Sequence, residues 1–493
     1  MIVSSETRTV FDPSTRKQLR QLVVSYINAQ GGISYLTYTL PEEQQYVWKY
    51  TVPNSQHVCR DFMSWDFRPV QKVSQKGPLP VQRIHEILLD LADTNPQINA
   101  IYDLYTPDIS FCDIEVNVDD SGFPDAETAP NEVNTISWVN KDLVIVYGRT
   151  KLSQAQIANI QKRIDEHCKK FKTRYTFTYL YFEHEYELLT SFFRDLVHPA
   201  ACVTGWNFFG YDWPYLCKRA EKLGIDIRYL SPTGSWMQYS VQSRQDFRIS
   251  LPMHKLMYDY MEIYIKWDKS INPKESNKLD WVGEKAVGVK KVHHQLGFKD
   301  MWEQQPEDYV FYNAVDSILV AEIDKKLKTS ATFYSLVNLL HIDALTAFSP
   351  VRSLETVQCE FLYKQKRIFP VSDKKKGQAN DGYEGAFVFE PKPGIYRNVI
   401  ALDYSSLYPT TIRQFNISPD TFIKKDKHCE QNDSIIKTAS GAIYRKDNEG
   451  FLPQILTYYF KKRKSFKKEM LIAIEERYHL EEIFEKRFKS NTL

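Results

Sequence analysis

No Cys-x-x-Cys pair occurs among the seven cysteines, Cys59, Cys112, Cys168, Cys202, Cys217, Cys359 and Cys429. His57 with Cys59, and His428 with Cys429, lack the paired ligand spacing that structural zinc uses, so no zinc site is expected. The N-terminal MIVSSETRTVF has no apolar signal-peptide core, and no apolar run approaches the ~20 residues that a membrane span requires. These absences point to a reducing cytoplasm and to no membrane partner. Neither charge dominates: 64 Lys+Arg against 62 Asp+Glu leave a net charge of +2, so any nucleic-acid contact must come from local patches rather than bulk charge. Internal repeats and long low-complexity tracts are also missing.

What is present is enough chain, 493 residues, for about three domains on the usual scaling. Its 43% hydrophobic and 26% charged residues exclude wholesale disorder. Residues 1 to 105 mix short apolar runs with loops such as Pro53-Asn54-Ser55, followed by a helix predicted from Pro80 to Asp93 on Val81, Ile84, Ile87, Leu88 and Leu91. From 108 to 335, strand-like runs alternate with helical patterns, as in an α/β domain with a central sheet. Ser372 to Gln378 reads as a polar linker, and a new apolar segment opens at Gly382. Phe466, Met470, Ala473, Leu480, Phe484 and Phe488 keep helical phase with no Gly or Pro after Pro453, which predicts one or two long helices.

Three acidic segments lie in the α/β region. In Ser110-Phe-Cys-Asp-Ile-Glu-Val116 the period of two places Asp113 and Glu115 on one face of a strand. Divalent cations such as Mg2+ or Mn2+ would relieve their repulsion, although a solvated strand face has the same pattern. In Thr204-Gly-Trp-Asn-Phe-Phe-Gly-Tyr-Asp212-Trp-Pro, an apolar strand ends in a turn before a helix, and Asp212 reads equally as a helix cap. In Tyr312-Asn-Ala-Val-Asp316 the hydroxyl and carboxylate share one helical face, itself a common pairing.

Taken in order, Asp113-x-Glu115, Asn207-x4-Asp212 and Tyr312-x3-Asp316 resemble the three exonuclease motifs of family B DNA polymerases, most closely those of T4-like bacteriophages. That resemblance implies a ribonuclease-H-like 3'-to-5' exonuclease in which Asp113, Glu115, Asp212 and Asp316 hold two metal ions while Tyr312 orients the attacking water. The pattern from Met237 to Leu251 suggests a hairpin; in the family a hairpin here helps move the primer end between sites, while an ordinary surface hairpin fits the local pattern equally.

A second set of motifs follows. Asn398-Val-Ile-Ala-Leu-Asp403-Tyr-Ser-Ser-Leu-Tyr408-Pro is predicted to be an apolar strand running into a carboxylate, a turn and a helix, a geometry that offers a metal ligand and free backbone amides. It resembles polymerase motif A, D-x-x-S-L-Y-P. The resemblance implies that Asp403 is a catalytic palm aspartate holding Mg2+, that Ser406 and Leu407 offer amides to a deoxynucleoside triphosphate, and that Tyr408 lies under its sugar. Gly382 to Val388 resembles the family's connector between exonuclease and palm. Arg463 and Lys467, i and i+4 in a basic stretch, match fingers residues that grip the triphosphate, while a solvated basic face explains them equally. The family's K-x3-N-S-x-Y-G and D-T-D motifs are not found in these residues.

The expected fold is therefore multi-domain α/β: an N-terminal mixed domain (1–107), the exonuclease (108–335), a return segment and linker (336–380), part of a palm (381–455) and the first part of the fingers (456–493). The resemblance implies single-stranded and primer-template DNA and dNTPs as partners, a second polypeptide carrying the remaining fingers, palm and thumb, a sliding clamp reached through that chain, and the host-cell cytoplasm as compartment. A stand-alone exonuclease and a non-catalytic primer-template-binding subunit are the alternatives; motif A counts against the first and intact exonuclease ligands against the second.

Overall fold

The computed structural model describes residues 1–51, 58–118, 122–242, 244, 246–291, 296–371, 389–404, 406–426 and 432–490. The expected loop at 53–55, the linker at 372–378, the connector at 382–388 and the His428–Cys429 pair lie outside the described residues. The chain forms two compact units, one of residues 1–44 and 78–356, the other of 45–77 and 357–493. This division is coarser than the five parts expected from the sequence, and it groups 45–77 with residues almost three hundred positions later.

In the first unit, strands Ile2–Asp12, Lys17–Ile27 and Ile33–Thr39 form an antiparallel sheet. Helix Val81–Thr94 begins directly after Pro80, and its apolar stripe of Ile84, Ile87 and Leu88 packs with Leu22, Val24 and Leu40. The predicted helix is thus present within a residue at each end.

The centre of the unit is a six-stranded mixed sheet. Its order is Thr176–Tyr181, Leu143–Gly148, Val133–Asn140, Ile109–Val116, Cys202–Thr204 and Leu256–Met257. Strand Ile109–Val116 runs antiparallel to Val133–Asn140 and parallel to Cys202–Thr204, so it is covered on both edges. Its side chains divide by the period of two: Cys112, Ile114 and Val116 enter a core with Phe192, Phe193, Trp213 and Leu216, whereas Phe111 faces a core built on helix Pro306–Leu327. Asp113 and Glu115 therefore point to the side of that helix. The helix is buried on nearly every face from Tyr309 to Ile323, which explains why no apolar stripe marks it in the sequence. Helices on both faces of this sheet fit the expected ribonuclease-H-like fold. The predicted hairpin is also present, as Trp236–Ser240 paired with Arg248–Pro252.

The second unit pairs Tyr46–Tyr50 with Val70–Ser74 and Met63–Ser64 with Arg367–Ile368. It also holds a small sheet of Phe422–Lys425, Ala442–Arg445 and Ile435–Lys437. One uninterrupted helix runs from Phe451 to Ser490, 40 residues or about 60 Å of rise. Pro453 falls in its first turn, where a missing amide costs no internal hydrogen bond. The apolar strand predicted before Asp403 does not form. Residues 398–403 have no regular structure, and Ile400 and Leu402 are 84% and 92% exposed. Asn398 adopts a left-handed φ of 57°, which interrupts extended backbone, and no described strand pairs with this segment. An apolar run without a neighbouring strand has no ladder to stabilise it.

Candidate active site

The sheet and helix bring Asp113, Glu115 and Asp316 together, with one carboxylate oxygen of each lying within 4.8 Å of the others. Asp113 and Glu115 share the strand face read from the sequence, and Asp316 descends from Pro306–Leu327. Asp212 opens helix Asp212–Lys222 but does not cap it, because the cap position is Tyr211. Instead Asp212 Oδ1 accepts the Ile114 amide at 3.0 Å, so the carboxylate is tied to the backbone between Asp113 and Glu115. It stands outside the tight three-acid cluster, yet its charge acts on Glu115 and is itself acted on by Asp113.

Crowding acids in a buried place raises their proton affinity. Burial, then the charge of Asp316, pushes Asp113 up to about 7, against the pull of Lys291 and a hydrogen bond from Asn313. Glu115 and Asp212 are driven well above the usual carboxylate range, first by burial and then by Asp113. Lys291 Nζ lies 2.5 Å from Asp316 Oδ2. Burial works against this cation, but Asp316, Tyr312 and Asp113 hold it protonated. Asp316 nonetheless remains raised, because its own burial outweighs the pull of Lys291 and Tyr312.

The residues fit divalent cations. Asp316 Oδ1 is buried with no hydrogen-bond donor, and the neighbouring ligand atoms are hard carboxylate oxygens of the kind that Mg2+ and Mn2+ prefer. Tyr312 and Asp316 are close enough to shift each other's proton affinity, and Tyr312 packs edge-on against Phe298 at 5.6 Å. Burial and the charge of Asp316 raise its phenol, which therefore stays a hydroxyl donor. Asn313 Nδ2 donates to Asp113 Oδ2 at 2.8 Å, and the Tyr309 hydroxyl donates to the Val116 carbonyl at 3.2 Å, fixing the strand from the helix side.

Sequence reasoning missed Lys291 and Asn313. Asn313 had a usable signal, since it lies three residues before Asp316 on the same helical face. Lys291 had none: it sits in an unremarkable Lys290-Lys291 pair.

The motif A residues are placed differently. Asp403 is exposed in the irregular 398–404 segment. Ser406 takes a left-handed φ of 55° at the start of helix Leu407–Gln414, with Leu407 and Tyr408 exposed in its first turn. The predicted turn and helix are present; the strand before them is not. This short helix packs on the long one, where Arg413 Nε donates to Thr457 Oγ1 at 3.0 Å. Arg463 and Lys467 are exposed one turn apart on Phe451–Ser490. Among the described residues no hydrogen bond or ion pair joins them to Asp403.

With this geometry in place, the sequence matches the DNA polymerase family B exonuclease domain over residues 66–279, and DNA polymerase family B over residues 353–487. The chain belongs to DNA polymerase family B. The DNA-directed DNA polymerase of Escherichia phage RB69 is 26% identical over 388 residues, covering 73% of this chain and 42% of the relative. That of Enterobacteria phage T4 is 26% identical over 402 residues, covering 75% and 43%. A DNA polymerase of Archaeoglobus fulgidus is 28% identical over 272 residues, 54% of this chain and 32% of the relative. The chain thus spans less than half the length of these relatives. In the described residues no helix is long and apolar enough to cross a membrane.

Proposed function

We propose that this family B chain is the proofreading and motif A portion of a replicative DNA polymerase, and that it removes nucleotides from the 3' end of single-stranded DNA. The observation that carries the reading is the Asp113–Glu115–Asp316 cluster, in which buried Asp316 keeps one oxygen undonated, beside Asp212. These four acids would hold two Mg2+ or Mn2+ ions, which when bound supply charge neutralisation at the scissile phosphate. Asn313 and the Ile114 amide hold Asp113 and Asp212 in place, and the protonated Tyr312 hydroxyl is set to orient a water. Water oxygen forms the new bond to phosphorus, the 3' oxygen leaves with a proton, and a nucleoside 5'-monophosphate is released. No nucleophilic side chain is required.

For synthesis, Asp403 would act on Mg2+ with Ser406, Leu407 and Tyr408 at the dNTP and Arg463 and Lys467 at its phosphates. The K-x3-N-S-x-Y-G and D-T-D motifs would come from sequence outside these 493 residues, on a second polypeptide that also reaches a sliding clamp. Primer-template DNA is the shared substrate, in the host-cell cytoplasm.

The test is hydrolysis of a 5'-labelled oligodeoxynucleotide by the purified chain at low salt. Laddering from the 3' end with Mn2+, its loss on chelation, and a drop of at least about a hundredfold in Asp316→Asn are expected. Undiminished laddering in that variant rejects the site.

A further inference from the structure

Asp259 is a fully buried carboxylate, 0% exposed, between strand Leu256–Met257 and helix Tyr260–Trp267, and the chemistry above makes no use of it. Its Oδ1 accepts the Met261 amide at 2.9 Å, capping that helix. A cap needs one oxygen only. The other, Oδ2, accepts the Phe209 amide at 3.0 Å, reaching a different segment.

Phe209 lies three residues before Asp212, in the turn between strand Cys202–Thr204 and helix Asp212–Lys222. The turn is pinned on all sides. The Tyr260 amide donates to the Gly205 carbonyl at 2.9 Å, and a side chain at Gly205 would run into the Cys112 carbonyl, next to Asp113. Asn207 takes a left-handed φ of 58° and its carbonyl accepts the amides of Gly210 and Tyr211, at 2.9 and 3.0 Å. The Phe208 carbonyl accepts the Trp213 amide at 2.9 Å. Trp206 Nε1 donates to the Asn277 carbonyl at 3.0 Å and the Tyr211 hydroxyl to the Pro124 carbonyl at 3.1 Å, Arg244 donates to the Gly210 carbonyl at 3.2 Å, and Asp259 adds a carboxylate fastening to the backbone at Phe209. Burial and then the charge of Glu262 hold its carboxyl above the usual range against the pull of these amides, and its own charge acts on Asp212. Burying such a group is costly, and a helix cap alone is served as well by Ser or Thr.

We propose that Asp259 is a positioning residue for Asp212, fastening the Gly205–Tyr211 turn so that the Asp212 carboxylate is delivered against the strand of Asp113 and Glu115. The inference rests on reading Asp212 as a ligand of the exonuclease cations.

The experiment uses the full chain and Mn2+. Asp259→Asn keeps the volume but leaves one of the two amides facing an NH2 group; Asp259→Ser keeps a helix cap but cannot reach Phe209. In both, Mn2+ binding followed by the electron paramagnetic resonance of free ion should weaken about tenfold. The Phe209 amide should exchange hydrogen faster. Nuclease activity should fall at limiting Mn2+ and recover at saturation, so that the apparent KM for the ion moves and kcat does not. Ser153→Ala serves as the reference, because it removes the capping box of helix Gln154–Cys168 in the same unit and should lower the melting temperature without changing ion binding. Unchanged Mn2+ affinity in folded Asp259→Asn and Asp259→Ser, or a change no larger than in Ser153→Ala, overturns the proposal. If the unsubstituted chain and Asp113→Asn bind Mn2+ equally poorly, the ligand reading has failed instead. Phe209 exchange then decides whether Asp259 holds the turn: acceleration in Asp259→Ser supports the fastening, and an unchanged rate rejects it.

Discussion

Asp113 and Asp403 both follow apolar residues in what the sequence presents as strands, yet their surroundings are opposite. Asp113 stands on a strand paired along both edges, with Asn313 donating to its carboxylate and a helix closing over it. Asp403 stands in an irregular segment with both flanking side chains, Leu402 and Tyr404, exposed. The difference teaches that the proposed exonuclease acids are organised by this chain's own packing, whereas the motif A segment has no comparable support among the described residues. Preorganisation of that kind is what lets a charged site act without rearranging first.

The largest expected effect separates the two carboxylates directly. Asp113→Asn should lower 3'-end hydrolysis about a thousandfold or more, since it removes a charged ligand from a fixed constellation. Asp403→Asn should leave that hydrolysis unchanged and abolish primer extension in an enzyme completed with the proposed K-x3-N-S-x-Y-G and D-T-D motifs. Gel analysis of one labelled primer reads both activities. Equal loss of hydrolysis in the two variants would merge the sites and end the contrast.

Next in size is the cost of the site's own charge. The folded-state proton affinity of Asp113 is raised, to about 7, and those of Glu115 and Asp212 are raised well above the usual carboxylate range. The unfolded chain releases the same protons near about pH 4. Between these values the folded chain binds more protons than the unfolded one, so stability contributed by Asp113 is present at low pH and is lost as pH rises through about 7. The chelator-treated chain should therefore melt lower at about pH 8 than at about pH 5.5, and Mn2+ should raise the melting temperature more at the higher pH. Calorimetry with and without ion reads this; an ion effect independent of pH would mean that the acids are not what binds it.

A third comparison concerns the apolar neighbours. Ile114 is 5% exposed in the core of Trp213 and Leu216, and Ile114→Ala should cost about 2–5 kcal/mol in chemical denaturation. It should also loosen Asp212, whose carboxylate bonds the Ile114 amide, and so weaken Mn2+ binding.

Much of the exonuclease was legible because its signals are local. The alternation of Cys112, Asp113, Ile114 and Glu115 reports two strand faces, and the stripe of Ile84, Ile87 and Leu88 reports a helix. Long-range relations were not legible. Asn313 meets Asp113 across two hundred residues, Lys291 reaches Asp316 from a loop, and Asp259 bonds Phe209 from another element. No spacing rule encodes those meetings. The grouping of 45–77 with 357–493 depends on pairings such as Met63 with Arg367, which no local pattern announces. The misread strand at 398–403 failed for a related reason: apolar content reports a preference for burial, but a strand also needs a neighbour to pair with.

The smallest expected effect tests that last point. Leu402 is 92% exposed and, like Ile114, immediately adjoins a candidate metal ligand within an apolar run. Were it a buried strand residue in the isolated chain, Leu402→Ser would remove apolar burial, leave a hydroxyl in the core and cost about 2 kcal/mol or more. In the structure described here it loses no packing, so the change should stay within about 0.5 kcal/mol. Denaturant unfolding of the second unit, followed by its tryptophans Trp48 and Trp65, measures the difference without requiring any activity. The comparison becomes sharper with the polypeptide that restores synthesis. If that partner supplies a strand beside 398–403, Leu402 should become buried on association, and Leu402→Ser should then weaken assembly while still leaving the isolated chain as stable as before. A large loss of stability in the isolated chain would show that this segment is packed on its own, and the contrast between Asp113 and Asp403 would fail at its structural root.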